Sequence, residues 1–216
     1  MTTNATLIHM LQVSSWQLEQ AVSGFDTDQW FHVPAEGIAS AAWIVGHATL
    51  IDRQVLEELD LPSLPAMPED WPTLYQTRPE DGMAPEDYPG RIILERFLMH
   101  RRALIAAVSR IAPEALDRQL DPPGRDRYNP LRGDDDNPLF DYGTLIEMIG
   151  NMALYTSQLA GEVVVVRQSL GMPVDEDWLL QSCHCEDGGR SLEANYTLPR
   201  TIDALCPPKP KLLLIT

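Results

Sequence analysis

Cysteine is scarce in this chain. There are three in 216 residues, an odd number, and two of them stand at positions 183 and 185. That is no disulfide framework, and a reducing, cytoplasmic setting is expected. Long apolar runs are missing too: none approaches the roughly 20 residues that a membrane-spanning helix needs. The first residues, Met1 to Thr6, lack the basic region and apolar run of a signal peptide. Positive charge is in deficit, with 16 Lys and Arg against 32 Asp and Glu, for a formal net charge of −16. A polyanion gains nothing from counterion release at phosphate, so no nucleic-acid partner is expected. The same repulsion argues against anionic membrane surfaces. The acidity itself reads as a solubility device. The chain also lacks an internal repeat, a Gly-rich phosphate loop, a Ser/His/Asp signature and a basic patch.

What the chain does have is helical periodicity. Its hydrophobic fraction, 44%, is ordinary for a globular protein. From position 38 onward, Ile44, Ala48, Ile51, Val55 and Leu59 recur at three- and four-residue steps. They define one face of a helix, with Trp43 and Leu50 widening the arc and Arg53, Glu57 and Asp60 opposite. His47 projects inside that apolar arc. A first stripe (Leu7, Leu11, Ser14, Leu18, Val22) closes at Ser23-Gly24. A third stripe runs through Ile93, Phe97, His100, Leu104 and Val108, and the stretch from Glu114 to Leu116 adds a further turn. A fourth opens with Thr144-Leu-Ile-Glu147, a capping-box pattern, and ends at Gly171 and Pro173. These stripes predict helices near residues 4–24, 38–60, 90–112 and 144–170, and no convincing strand alternation competes with them. The expected fold is all-α: a four-helix bundle over residues 1–173, followed by a mostly irregular extension, residues 174–216. The connection from Leu61 to Pro89 holds seven prolines and is expected to run over the surface as irregular structure, pinned by Trp71, Leu74 and Tyr75. Asp26 to Gly37 is a connection that carries Trp30, Phe31 and Pro34.

Two stretches resemble a known family. Trp43-Ile-Val-Gly46-His47 is similar to the second-helix motif of the DinB/YfiT-like superfamily, and the run from Leu159 through Gly161-Glu162 to Pro173 is similar to its last bundle helix. The order of four helices with a long crossover between the second and third agrees. The resemblance implies a divalent metal, zinc or nickel, held by three histidines. One would come from the second helix and two, one turn apart, from the last. It also implies thiol-dependent transferase or isomerase chemistry in many relatives. The spacing suits the chemistry, because imidazoles at i and i+4 share a helix face and can bind one ion. Carried onto this chain, the second-helix ligand is His47. The two last-helix positions hold Tyr155 and Leu159, and Glu162 replaces the usual glutamine after Gly161. No His-x3-His pair occurs anywhere, the histidines being 9, 32, 47, 100 and 184.

Two readings of the site follow. A lone histidine on an apolar face is more often a hydrogen-bonded core residue than a ligand. On that basis the first reading is a divergent bundle with a degenerate metal site, no cofactor, and a pocket that binds a small molecule or a partner. Its pocket candidates are His47, His100, Asn151, Tyr155 and Glu162, since buried polar groups demand partners. The second is a metal-dependent thiol S-transferase or hydrolase whose zinc or nickel site is rebuilt from His47, His100 or Glu162. Cys183-His184-Cys185 lacks the ligand spacing of a zinc site, and the acid run 134–136 lacks the glycine and closing glutamate of a calcium loop. Under both readings a homodimer is expected, since relatives often pair through bundle helices and the apolar end Leu212 to Ile215 needs cover.

Overall fold

The computed structural model describes residues 2–35, 37–61, 65–84, 87–121 and 142–174. Four long helices carry it: α1 (Thr3–Val22), α3 (Ala41–Glu58), α5 (Gly90–Val108) and α7 (Leu145–Ser169). Three short ones lie in the connections: α2 (Thr27–Phe31), α4 (Trp71–Tyr75) and α6 (Pro113–Leu116). No strand occurs among the described residues, only a single bridge between Gln119 and Thr144. The fold is the all-α bundle that the four stripes predict. One compact unit runs from Met1 to Leu179. The expected extension, the loop with the acid run, and Cys183, His184 and Cys185 lie outside the described residues. No described helix is long and apolar enough to cross a membrane.

Side-chain bonds between helices give their directions. Asn4 at the start of α1 donates to the carbonyls of Val108 and Ile111 at the end of α5, so these two helices are antiparallel. Arg167 near the end of α7 donates to the carbonyls of Ala21 and Ser23 at the end of α1, so α1 and α7 are parallel. His47 and Tyr155 meet mid-helix, while Arg78, lying over Trp43, reaches Glu162, so α3 and α7 are antiparallel. It follows that α3 and α5 are parallel neighbours. Parallel neighbours cannot be joined by a tight turn: α3, at 18 residues, spans about 27 Å, and the chain must climb back that far. The proline-rich crossover between Glu58 and Gly90 supplies that return path.

One short helix, α4, stands where the prolines lead one to expect irregular structure, and α2 stands in the connection over residues 26–37. Asp26 caps α2 and Gln29 reaches back to the Asp26 amide, a full capping box. In α4, Pro72 sits in the first turn, where its missing N–H is no loss. Trp71 and Tyr75, four residues apart, then face α3 together, and both are fully buried. Trp71 Nε1 donates to the Gly46 carbonyl at 3.1 Å. Gly46 is glycine because the Tyr75 ring lies on its Cα, and any Cβ there would overlap that ring. At the far end of the crossover Gly82, with φ of +71°, turns the chain onto the start of α3, where Ser40 N–H donates to its carbonyl at 2.9 Å.

The apolar stripes close around a charged centre. Arg101 is 1% exposed, yet it touches every long helix. Its Nε donates to Asp52 Oδ2 on α3 at 2.7 Å. Its NH1 donates to the Leu11 carbonyl at 3.1 Å and to Ser14 Oγ at 2.7 Å, both on α1. Its NH2 donates to Thr156 Oγ1 on α7 at 2.8 Å. Burial pushes the Asp52 carboxyl above the usual carboxylate range, although the Arg101 charge pulls it back.

Candidate functional site

The second polar cluster lies where α3, α7 and the crossover meet. His47 is 2% exposed. Its Nδ1 lies 2.8 Å from the Tyr75 carbonyl. A carbonyl only accepts, so Nδ1 carries the ring proton and Nε2 holds a lone pair. Burial drives the His47 pKa down to about 4, with the Arg78 charge adding to the effect and the Tyr75 bond opposing it. The ring is therefore neutral near pH 7. One of its faces stacks on Trp43, with centroids 4.6 Å apart and planes 14° from parallel. Trp43 is itself fixed by a bond from Nε1 to the Thr77 carbonyl at 3.2 Å.

Tyr155 of α7 stands edge-on to the imidazole, its hydroxyl 3.5 Å from Nε2. Burial, aided by the Glu162 charge, pushes the phenol up to about 12, so Tyr155 is a neutral donor. At 3.5 Å the bond is at the outer limit of a hydrogen bond, and the Nε2 lone pair remains largely available. Glu162, two turns along α7, pairs with Arg78 at 2.7 Å. The Arg78 guanidinium lies over the Trp43 ring, 5.2 Å from its centroid, and its NH1 donates to the Gly37 carbonyl at 2.7 Å. Arg78 and Glu162 are each 23% exposed at the side chain, so this pair forms the outer edge of the cluster.

Of the five candidates, the structure brings His47, Tyr155 and Glu162 together. His100 is not part of this cluster: its Nδ1 bonds the Arg96 carbonyl on its own helix, and no described bond or ring contact joins it to His47. Burial lowers its pKa, and the cations acting on it are Arg53 and Arg96. Asn151, one turn before Tyr155, is half-buried and makes no described side-chain bond to either ring. Leu159, one turn after Tyr155, is fully buried. Arg78 and the Tyr75 carbonyl are the functional groups that sequence reasoning missed. They lie in the proline-rich crossover, where no periodicity points inward; Arg78 as the lone cation between Arg53 and Arg91 was the available signal.

The donors near Nε2 can be tested against the three-histidine metal site that the resemblance implies. Beside His47 Nε2 stands a neutral phenol, the Tyr75 carbonyl is engaged at Nδ1, and Leu159, at the other position the resemblance implies, has no lone pair to offer. No group of three His, Cys, Asp or Glu side chains with metal-holding geometry occurs among the described residues. Catalytic zinc sites use three protein ligands, and this set does not fit that requirement.

Fold and cluster together define a four-helix bundle with a strapped crossover and a buried polar cluster between its second and last long helices. The sequence model of the DinB superfamily matches residues 12–134, more than half of the 216-residue chain. The chain belongs to the DinB superfamily. The match takes in His47, Arg78 and Arg101 and stops before α7, so Tyr155 and Glu162 fall beyond it. No curated protein and no solved structure matches the chain.

Proposed function

We propose that this chain is a binding member of the DinB superfamily, taking a small molecule at the His47 pocket by hydrogen bonding and stacking, with the family's metal site degenerate. The observation that carries this reading is the pairing at Nε2: a tyrosine hydroxyl at 3.5 Å stands where further imidazoles would be needed to complete a metal site. Pockets of this type are apolar with a few convergent polar groups. Here the apolar body is Trp43 and the Tyr155 ring. The polar groups are the His47 lone pair, the Tyr155 hydroxyl and the Arg78–Glu162 edge. His47 Nε2 would accept an N–H or O–H from the ligand, displacing the long Tyr155 contact. The partners in this reading are the ligand and a second copy of the chain, in the cytoplasm.

Metal analysis of tag-free protein tests it. The expected result is no stoichiometric zinc or nickel, with the same outcome for His47→Ala. A stoichiometric metal that disappears in His47→Ala would overturn this reading and establish the alternative, a metal-dependent thiol S-transferase or hydrolase built around His47. Light scattering tests the dimer, and a monomer mass at micromolar concentration would remove it.

A further inference from the structure

The chemistry of the ligand can be read from how Arg78 is held, given the reading of the His47 pocket as a ligand site. A guanidinium offers two parallel donors, Nε–H and one NH2, along a single edge, and a carboxylate fills both at once. In this structure that edge is half used. NH2 donates to Glu162 Oε2 at 2.7 Å, while Nε is buried with no hydrogen-bond partner among the described residues. NH1 is taken by the Gly37 carbonyl, which fixes the plane of the group. A buried donor on a charged side chain is rarely left without an acceptor, and leaving it so is unfavourable. Glu162 reaches the edge but grips it with one oxygen, and its partial exposure gives it a route to water. The guanidinium lies over the Trp43 ring, on which the His47 ring also stacks.

We propose that Arg78 selects the ligand, and that the ligand is a small organic carboxylate bound side by side to Nε and NH2. Glu162 is its internal substitute. It holds one of the two positions until the ligand's carboxylate takes both and Glu162 swings outward. Against a net charge of −16, an anion needs a cation to hold it, and Arg78 supplies one with a buried donor left over.

The test is a titration followed in 1H–15N spectra through the Arg78 Nε–H signal, assigned by its loss in Arg78→Lys. The probes are benzoate and its neutral counterpart benzamide. Benzoate is expected to shift the Arg78 and His47 ring signals at concentrations where benzamide does not. Glu162→Gln, which weakens the internal competitor to a neutral acceptor, should tighten benzoate about tenfold. Arg78→Lys, a point charge with no fork, should lose the preference for benzoate. Benzamide binding as tightly as benzoate, or unchanged benzoate affinity in Glu162→Gln, overturns the carboxylate proposal and leaves a small-molecule site standing. Absence of any shift with either probe, in both wild type and Glu162→Gln, overturns the site itself.

Discussion

Replacing Arg101 by methionine removes a side chain of α5 that bonds the other three long helices, and the size of the effect can be worked out group by group. Four hydrogen bonds disappear. Three of the acceptors are neutral and keep other bonds. Thr156 Oγ1 still donates to the Met152 carbonyl and Ser14 Oγ to the Leu11 carbonyl, and the Leu11 carbonyl keeps that bond. The fourth, Asp52, has no such recourse: it is fully buried, and its Oδ1 already lacks a partner among the described residues. Removing one side of a buried ion pair costs about 3–5 kcal/mol, a large share of the roughly 5–15 kcal/mol that holds a domain together. The stranded carboxyl limits this loss by taking up a proton. Its pKa, raised by burial even beside Arg101, rises further without the cation. The folded variant then binds a proton that the unfolded chain releases, so its stability falls as pH rises above the ordinary carboxylate range. Urea unfolding followed by far-UV circular dichroism should show Arg101→Met weakened more at pH 8 than at pH 5. Asp52→Leu with Arg101→Met should recover most of the loss, since an apolar pair of similar volume replaces a buried ion pair at little cost. A single variant less than about 1 kcal/mol weaker than wild type, or a double variant no better than the single, would refute the reasoning.

Three further outcomes are expected. His47, with a folded pKa of about 4, stays neutral while the unfolded histidine protonates near 6.5, so the stability it contributes above that value is lost as pH falls from 6.5 to about 4. Wild type should lose about 3 kcal/mol more than His47→Gln over that window in urea unfolding, and parallel pH profiles would rule this out. Thr156→Val keeps the shape but removes the acceptor for Arg101 NH2, and should cost about 1.5–3 kcal/mol by the same assay; a change within error would mean that the contact is slack. Gly46→Ala drives a methyl group into the Tyr75 ring; it should cost about 1–3 kcal/mol and perturb the His47 ring signals, and unperturbed signals would show that α4 does not hold the imidazole.

The bundle was legible because its helices obey one period over long stretches. Thr144 and Glu147 announce the start of α7 and form the capping box seen there. The ends were less legible: the third stripe runs to Ala112, but the helix stops at Val108, where backbone bonds tighten into a last turn through Ser109 and Arg110. The charged centre was hidden by a habit of reading stripes as apolar. Arg101 stands four residues after Phe97, and Asp52 four after Ala48, each on the buried face of its helix. A core-facing cation on one helix and a core-facing anion on its neighbour was the available signal. At the site, His47 and Tyr155 could be paired because the resemblance placed them on facing helices. His100 could not be excluded from sequence, since its position in the α5 stripe says that it is buried but not which neighbour it meets.

The two buried polar layers are coupled through the register of α3 against α7. Tyr155 and Thr156 are consecutive, so their side chains leave the helix about 100° apart: one faces His47, the other Arg101. On α3, His47 and Asp52 serve the same two layers. Arg101 thereby fixes α7 against α3 a single residue away from the imidazole. Apolar stripes alone tolerate small slides, since one methyl group can replace another against a smooth surface, whereas a charged hydrogen bond of 2.7 or 2.8 Å does not stretch by the 1.5 Å rise of one residue. A contact as long as 3.5 Å between Tyr155 and His47 Nε2 is too weak to hold itself in place. It persists because the adjacent layer holds the helices, and that arrangement keeps the imidazole lone pair and the phenol hydroxyl facing one another.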